Sequence, residues 1–304
     1  MPSALWVFHL GTILVLPPFL LGVIGKTKAT LTGRIGAPLL QPYHDLWKLL
    51  HKGAVYSRAT SLVFRLAPVA ALAAMFTAAL LVPIAGQASM VSFQGDVVLW
   101  VYLLGLARFF IVLAALDTGS SFEGMGASRE VTFSSLVEPA LIIAFAVVVA
   151  LTRSLRLEEM FGSTLAHAWN VASPALALVV ASLFIAMLAE NARIPVDDPL
   201  THLELTMIHE VMVLDHSGPD LAFILYGSAL KFFLFGTLLV RLVYPFNFGS
   251  AWHDGAVFIA GLLLLAVVVG LVESAMARLR LIRVPQLLVT AFVLALVGML
   301  VTWG

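Results

Sequence analysis

Eight apolar runs, each long enough to cross a bilayer, constrain this chain more than any other feature. They fall at roughly 3–25, 62–85, 97–116, 133–151, 172–190, 220–244, 255–277 and 284–302. A helix needs about 20 mostly apolar residues to span the hydrocarbon core. Membrane-barrel strands would be about 10 residues long and would alternate strictly; these runs do neither. They account for a chain that is 61% hydrophobic and 11% charged, whereas a soluble domain carries about 25% charged residues. The pattern excludes a water-soluble enzyme and a disordered chain. It predicts an all-α polytopic membrane protein with about eight transmembrane helices plus cytoplasmic amphipathic helices, built as one integral-membrane domain over 1–304. The first run lacks a basic leader and continues past Pro17 and Pro18, so it reads as a span rather than a secretory signal.

Charge sets the expected orientation. Lys26, Lys28, Arg34, Lys48, Lys52, Arg58, Arg65, Arg129, Arg193, Arg278, Arg280 and Arg283 fall on one side, twelve of the seventeen basic residues. Arg153 and Arg156 lie on the other, with Arg241 close by. The positive-inside rule makes the first side cytoplasmic and puts both termini outside. The cytoplasmic loops then run over about 26–61, 117–132, 191–219 and 278–283. Formal net charge is zero, which excludes a bulk basic field for nucleic acid. The absence of cysteine excludes a disulfide scaffold, a cysteine nucleophile and a thiolate-held iron–sulfur cluster in this chain.

Two of these loops carry pattern. In the first, Leu39, Tyr43, Leu46, Trp47 and Leu50 recur at helical spacing, with His44, Asp45, Lys48 and His51 opposite. That predicts an amphipathic helix lying in the interface, either as a connector or as a docking face for a cytoplasmic partner. In the second, Asp198 before Pro199 is a helix-start signal. A helix from there would group His202, Thr206, His209, Glu210 and His216 on one face, and Leu200, Leu203, Met207, Ile208 and Val211 on the other. Glu204 falls within that apolar face, with Asp215 beside it. A carboxyl buried there has its pKa raised and can carry protons. Zinc is disfavoured, because His209-Glu210-Val-Met-Val lacks the second histidine of a helical zinc motif.

Ionisable residues also sit inside the spans: Arg108, Glu138, Glu190, Lys231 and Glu273. Each charge at a helix centre costs about 2.5–3.5 kcal/mol on insertion scales. One reading is mutual neutralisation, with Arg108 and Lys231 set against Glu138 or Glu273. The other is a proton path: Asp117, Glu138, Glu190, Glu204 and Glu273 fall at one cytoplasmic level and outnumber the two interior bases.

Several of these residues sit in recognisable runs. Gly126-Ala-Ser-Arg129-Glu130, Val137-Glu138-Pro139, Glu190-x-x-Arg193-x-Pro195-x-Asp197 and Ser217-Gly218 resemble the membrane subunit shared by respiratory complex I and the membrane-bound nickel–iron hydrogenases. Leu116-Asp117-Thr-Gly-Ser120 together with the Gly126–Glu130 run look more like the hydrogenase side, of formate hydrogenlyase and hydrogenase-4 type. The resemblance covers nearly the whole chain. It implies a non-catalytic coupling subunit that joins a cytoplasmic redox arm to antiporter-like membrane subunits. It implies a proton path through Glu138, Glu190, Glu204 and Glu210, to which the spans add Asp117, Glu273, Lys231 and Arg108. It implies partner docking through Arg34, Arg129, Glu130, Arg193, Asp197, His202 and His209. The expected partners are hydrogenase-like large and small subunits, an iron–sulfur subunit and antiporter-like subunits. The nickel–iron centre and iron–sulfur clusters are expected in those partners, with no cofactor in this chain. The location expected is the inner (plasma) membrane.

Two alternatives stay open. One is the quinone-site subunit of a complex I-type NADH dehydrogenase. Against it, this chain has Leu200-Thr-His202 and Met207-Ile-His209 where the complex I loop is richer in acids, and Arg34-Ile-Gly-Ala-Pro38 is a shortened form of that family's signature. The other is a stand-alone ion-coupled secondary transporter with its site at Lys231. Inverted repeats would favour it, and the sequence carries no internal repeat.

Overall fold

A computed structural model describes residues 2–85, 87–197, 207–245, 249 and 251–303, the side chains of 2–5 and 251 excepted. Ten α-helices are present among the described residues: α1 (Pro2–Leu31), α2 (Gln41–Leu50), α3 (Leu62–Leu81), α4 (Asp96–Asp117), α5 (Ser121–Thr152), α6 (Leu157–Met160), α7 (Ser163–Glu190), α8 (Gly218–Val243), α9 (Ala251–Ala275) and α10 (Val284–Trp303). Short 3-10 turns cover Glu210–Val213 and Leu281–Arg283. Eight of the helices are long and apolar enough to cross a membrane. The chain is an all-α multi-pass membrane protein.

Lipid tails are as apolar as the side chains they meet, so helices associate here by close packing and internal polar contacts. Small residues mark the interfaces. Ala67, Ala71, Ala74 and Ala78 form a buried line on α3, which packs on α4. Ala291, Ala295 and Gly298 do the same on α10, which packs on α5 and α7. There the Ser182 hydroxyl donates to the carbonyl of Ala291 at 2.7 Å. Large apolar residues such as Tyr102, Leu264 and Leu300 point outward, as a lipid-facing surface requires. Helix α8 is the hub of the bundle. It contacts α1, α2, α3, α7 and α9, and it buries Phe232, Phe233, Leu234 and Phe235 in succession.

The helices run further than apolarity predicts. The expected loop at 117–132 is helical except around Thr118-Gly119-Ser120, so α4 and α5 are joined by a three-residue turn. Helix α5 has 32 residues, well beyond the roughly 20 that cross the core. Its first turns are polar because they pack on protein rather than lipid, so hydropathy alone misplaces their boundary. For the same reason α1 continues to Leu31 rather than stopping near residue 25. Helix α7 starts at Ser163 rather than near 172. The expected start coincides with a kink, where Ala172 leaves helical geometry two residues before Pro174; proline lacks the N–H and crowds the preceding turn.

The two patterned loops pack against one end of the bundle. Helix α2 forms as expected and rests on α1 and α8, with Trp47 and Leu50 exposed. The helix expected to start at Asp198 lies outside the described residues up to 206, as do His202 and Glu204. Where the segment resumes, Met207–His209 is not helical and a 3-10 turn follows. Met207, Ile208 and Val211 are buried all the same. Asp215 and His216 exchange their expected places: the carboxylate is exposed, and the imidazole is buried in a stack on Phe64.

Ser217-Gly218 ties these two loops together. The Val55 N–H donates to Ser217 Oγ at 3.0 Å. Gly218 has φ +58°, and an added Cβ would sit 2.9 Å from the carbonyl oxygens of Lys52 and Gly53.

Candidate functional site

A group of charged side chains from five segments meets where α4, α5, α7 and α8 converge. Arg108 lies nine residues before the end of α4, about 13 Å along the axis at 1.5 Å per residue. Its guanidinium contacts Glu130 and Glu138 of α5 and Glu190 at the end of α7. Arg108 Nε is 3.2 Å from Glu130, while Nη1 and Nη2 take Glu138 and Glu190 respectively. Lys231 Nζ of α8 donates to the other oxygen of Glu190 at 3.4 Å. The Glu190 side chain is almost wholly enclosed, whereas that of Glu138 is 44% exposed. Pro139 follows Glu138 within α5 and frees one carbonyl of the preceding turn from helical hydrogen bonding.

His209, from the 207–213 segment, extends this group. Its Nε2 is 3.1 Å from Glu130 Oε2, and its Nδ1 is 3.6 Å from Asp197 Oδ2. Asp197 is buried and closes the segment on itself. It accepts from the main-chain N–H groups of Ile208 and His209 at 3.1 and 3.2 Å, and it pairs with Arg278 at 2.8 Å. Burial works against charge on both groups, and their surroundings overcome it. Glu130 and Asp197 hold the His209 imidazole above its usual pKa. The His209 contacts and the charge of Arg278 hold the Asp197 carboxyl below its usual pKa.

The Gly126–Glu130 run positions this junction. A Cβ at Gly126 would overlap Val211 and approach Ile208 O at 3.0 Å, so glycine lets the segment lie against α5. Arg129 donates to the carbonyl of Met207 at 2.9 Å. Glu130 then points inward, one position along, to Arg108 and His209.

A second group lies beside the first. Glu273 of α9 is fully enclosed between Lys28 of α1, at 2.8 Å, and Arg193, at 3.4 Å. The Arg193 guanidinium also lies over the Phe232 ring, 5.5 Å from its centroid. The expected shortage of bases against acids is thereby corrected. Lys28 and Arg193, exterior charges by sequence, fold back onto Glu273. Of the mutual-neutralisation pairings, Arg108 with Glu138 forms, while Glu273 is taken by other partners. Asp117 stands apart from both groups, accepting from the Ser61 N–H at 2.7 Å.

The residues expected as docking contacts separate in the same way. Arg34 is exposed. Arg129 and Arg193 are half-buried, and Glu130 and Asp197 are buried in internal contacts. Lys28 and Arg278 belong to the site although the sequence marks them only as flanking charge.

A cavity of about 470 Å³ opens beside the first group. Leu21, Leu72, Met75, Leu104 and Phe223 give it apolar walls; Arg108, Glu190, His209, Glu210 and Lys231 form its polar end. Helix α2 borders it through Pro42, Asp45 and Leu46.

The sequence model of the NADH dehydrogenase family matches residues 4–303. The chain belongs to the NADH dehydrogenase family. It is 32% identical over 289 residues to hydrogenase-4 component C of Escherichia coli (strain K12), covering 93% of this chain and 90% of that protein. It is also 32% identical over 283 residues to formate hydrogenlyase subunit 4 of the same organism, covering 89% of each. Among solved structures it shares its fold with a chain of the membrane-bound sulfane sulfur reductase, an archaeal respiratory membrane complex. The TM-score is 0.84 at 19% identity, over 98% of this chain and 99% of that one. In this member of the NADH dehydrogenase family, Arg108, Glu130, Glu190 and Asp197 are internal. Glu130 and Asp197 hold the 207–209 stretch through His209 and its neighbouring main chain, and Arg108, Glu130 and Glu190 line the cavity's polar end.

Proposed function

We propose that this chain is the membrane-embedded coupling subunit of a multisubunit oxidoreductase of the membrane-bound nickel–iron hydrogenase or formate hydrogenlyase type. It anchors a cytoplasmic redox arm and provides a proton path toward antiporter-like subunits. The observation that carries this reading is the Arg108 group. Three carboxylates gather on two cations beside a cavity, a buried charge network that a passive anchor does not need. The near full-length similarity to two hydrogenase-complex subunits supports it.

On this reading the chain lies in the inner membrane with both termini outside, and α2 and the 191–197 and 207–217 segments face the cytoplasm. The partners are hydrogenase-like large and small subunits, an iron–sulfur subunit and antiporter-like subunits. The nickel–iron centre and the iron–sulfur clusters reside in those partners. Exposed Arg34, Trp47, Leu50 and the rim of the 207–217 segment supply the docking surface. Proton transfer runs through Glu138 and Glu190, with Arg108 and Lys231 setting their affinity for protons; Glu210 lies at the cavity end of the path, and Glu204 belongs to the same loop.

Purification through a tag on this chain, in mild detergent, tests the assignment. A hydrogenase-like large subunit and an iron–sulfur subunit should copurify. Recovery of the chain without any redox subunit would overturn it.

The cavity favours a second reading. Apolar walls with a charged end suit an amphipathic ring compound with a long apolar tail, such as a quinone. Photolabelling with a quinone analogue should then mark α2, α3 or α8, and copurification should return an NADH-oxidising module instead.

A further inference from the structure

Three carboxylates meet two cations in the Arg108 group. Arg108 and Lys231 contribute two positive charges, and Glu130, Glu138 and Glu190 contribute three negative ones. Asp197 pairs with Arg278 beside it, and Glu273 with Lys28 and Arg193 in the neighbouring group. Proton movement among such carboxylates calls for a group that can both take and give a proton near neutral pH within hydrogen-bond reach of them. His209 is placed for this, its Nε2 3.1 Å from Glu130 and its Nδ1 facing Asp197 at 3.6 Å.

Two spaces meet at this ring. One is the 470 Å³ cavity, which His209 borders. The other is a small recess of about 10 Å³ lined by Glu130, Ser134, Glu190 and His209 among others. That is about the smallest volume able to hold one water, and it offers the polar partners a bound water needs.

We propose that His209 is the proton-transferring residue between the larger cavity and the buried carboxylates, its Nε2 serving Glu130 directly and Glu190 through a water in the small recess. This deepens the coupling function proposed above and rests on it. The imidazole takes a proton from the cavity and becomes imidazolium. It then releases the Nε2 proton to a carboxylate, leaving a neutral ring and a neutral carboxyl, so the total charge of the group is unchanged by the internal step. Asp197 acts as a positioning residue. It accepts the main-chain N–H of His209 at 3.2 Å and faces Nδ1 as a countercharge at 3.6 Å, so it holds the residue in place and favours the imidazolium. The charged groups facing the ring are Glu130 from α5, Glu190 from α7, Lys231 from α8 and Asp197 from the 191–197 segment, with Arg108 and Arg278 one contact further away.

Two variants of the intact complex in membrane vesicles test this. His209→Gln keeps hydrogen bonding but cannot titrate. His209→Arg keeps a cation for Glu130 and Asp197, with the adjoining cavity to take its bulk, yet cannot release a proton at neutral pH. Both should accumulate, and both should lower protons moved per electron transferred by about tenfold or more, the scale of a lost proton-transfer group. In the wild-type complex proton movement should decline on the alkaline side, and Asp197→Asn should shift that limb to lower pH. Normal proton movement in either His209 variant would overturn the inference, and so would failure of both to accumulate, which would make the residue structural. Glu138→Gln separates the two levels of argument. Loss of proton movement there with normal movement in the His209 variants sinks the histidine relay alone; normal movement in all three sinks the proton path as well.

Discussion

Lys28 on α1 and Glu273 on α9 form an ion pair of 2.8 Å that joins the first helix of the bundle to the seventh span. The Glu273 side chain is completely enclosed and also takes Arg193. This carboxylate therefore fastens α1, α9 and the 191–197 segment to one another. Its two cations are themselves mostly enclosed, which ties their stability to the carboxylate.

Glu273→Gln follows directly. The amide would leave Lys28 and Arg193 without a countercharge, and breaking a buried pair from one side costs about 3–5 kcal/mol in soluble proteins. We expect the variant to accumulate poorly and to unfold at a lower temperature in detergent. Quantitative immunoblotting of membranes with a thermal unfolding scan measures this. Wild-type abundance and Tm would show that Glu273 carries no structural load.

The clamp between Asp197 and His209 predicts a pH window. The His209 pKa is raised above 6.5 in the folded chain. Its stabilising contribution is therefore complete below pH 6.5 and is lost as pH rises through the folded value. The Asp197 pKa is lowered below 3.8. Its contribution is present above pH 3.8 and is lost as pH falls through the folded value. Amide hydrogen exchange, corrected for intrinsic rates, should show residues 207–213 best protected between these limits. Protection should fall on the alkaline side, and His209→Gln should flatten that decline. Protection that does not change with pH would rule out the clamp.

Gly218→Ala tests the tie between the two loops. Positive φ alone costs a non-glycine residue about 1–2 kcal/mol, and the new methyl would press on two carbonyl oxygens. The 52–56 segment should detach from the start of α8, read as proteolytic cleavage there at lower protease concentration. Unchanged cleavage would mean that the segment is held by other contacts.

Orientation is tested by reporter fusions at Lys52 and Gly304. Twelve basic residues on one side predict opposite compartments for the two sites. The same compartment for both would refute both the odd number of intervening spans and the orientation built on it.

The spans are legible in the sequence because a run of 20 apolar residues has few other uses. The interior ion pairs are legible as a problem: Arg108, Glu138, Glu190, Lys231 and Glu273 stand out by sitting where charge is expensive. Their partners are not. Lys28 and Arg278 lie at span ends, where basic residues ordinarily mark topology, and nothing in local spacing says that they fold inward onto Glu273 and Asp197. A helical wheel turns His209 into a surface contact, but the segment is not helical at that point. Polarity puts Glu130 in a watery loop, whereas here it signals a polar protein neighbour. Gly126 and Ser217-Gly218 carry signals whose use, close approach of one backbone to another, emerges only in three dimensions.

Glu138 and Glu190 differ in burial, and this separates two outcomes that sequence alone treats alike. Glu190 is almost fully enclosed and serves both Arg108 and Lys231. Glu138 is nearly half exposed, and Arg108 keeps two other carboxylates if it is lost. An amide preserves shape and much of the hydrogen bonding but cannot release a carboxyl proton. Glu138→Gln should therefore leave the chain at normal abundance, leave electron transfer to an artificial acceptor in the partner subunits intact, and reduce coupled proton movement. Glu190→Gln removes the countercharge of Lys231 and should reduce abundance as well, by the same one-sided loss that applies to Glu273. The deciding measurement is subunit abundance beside proton translocation in vesicles for the two variants. Equal loss of abundance in both would make Glu138 a structural partner of Arg108; normal abundance and normal proton movement in both would remove these carboxylates from the path.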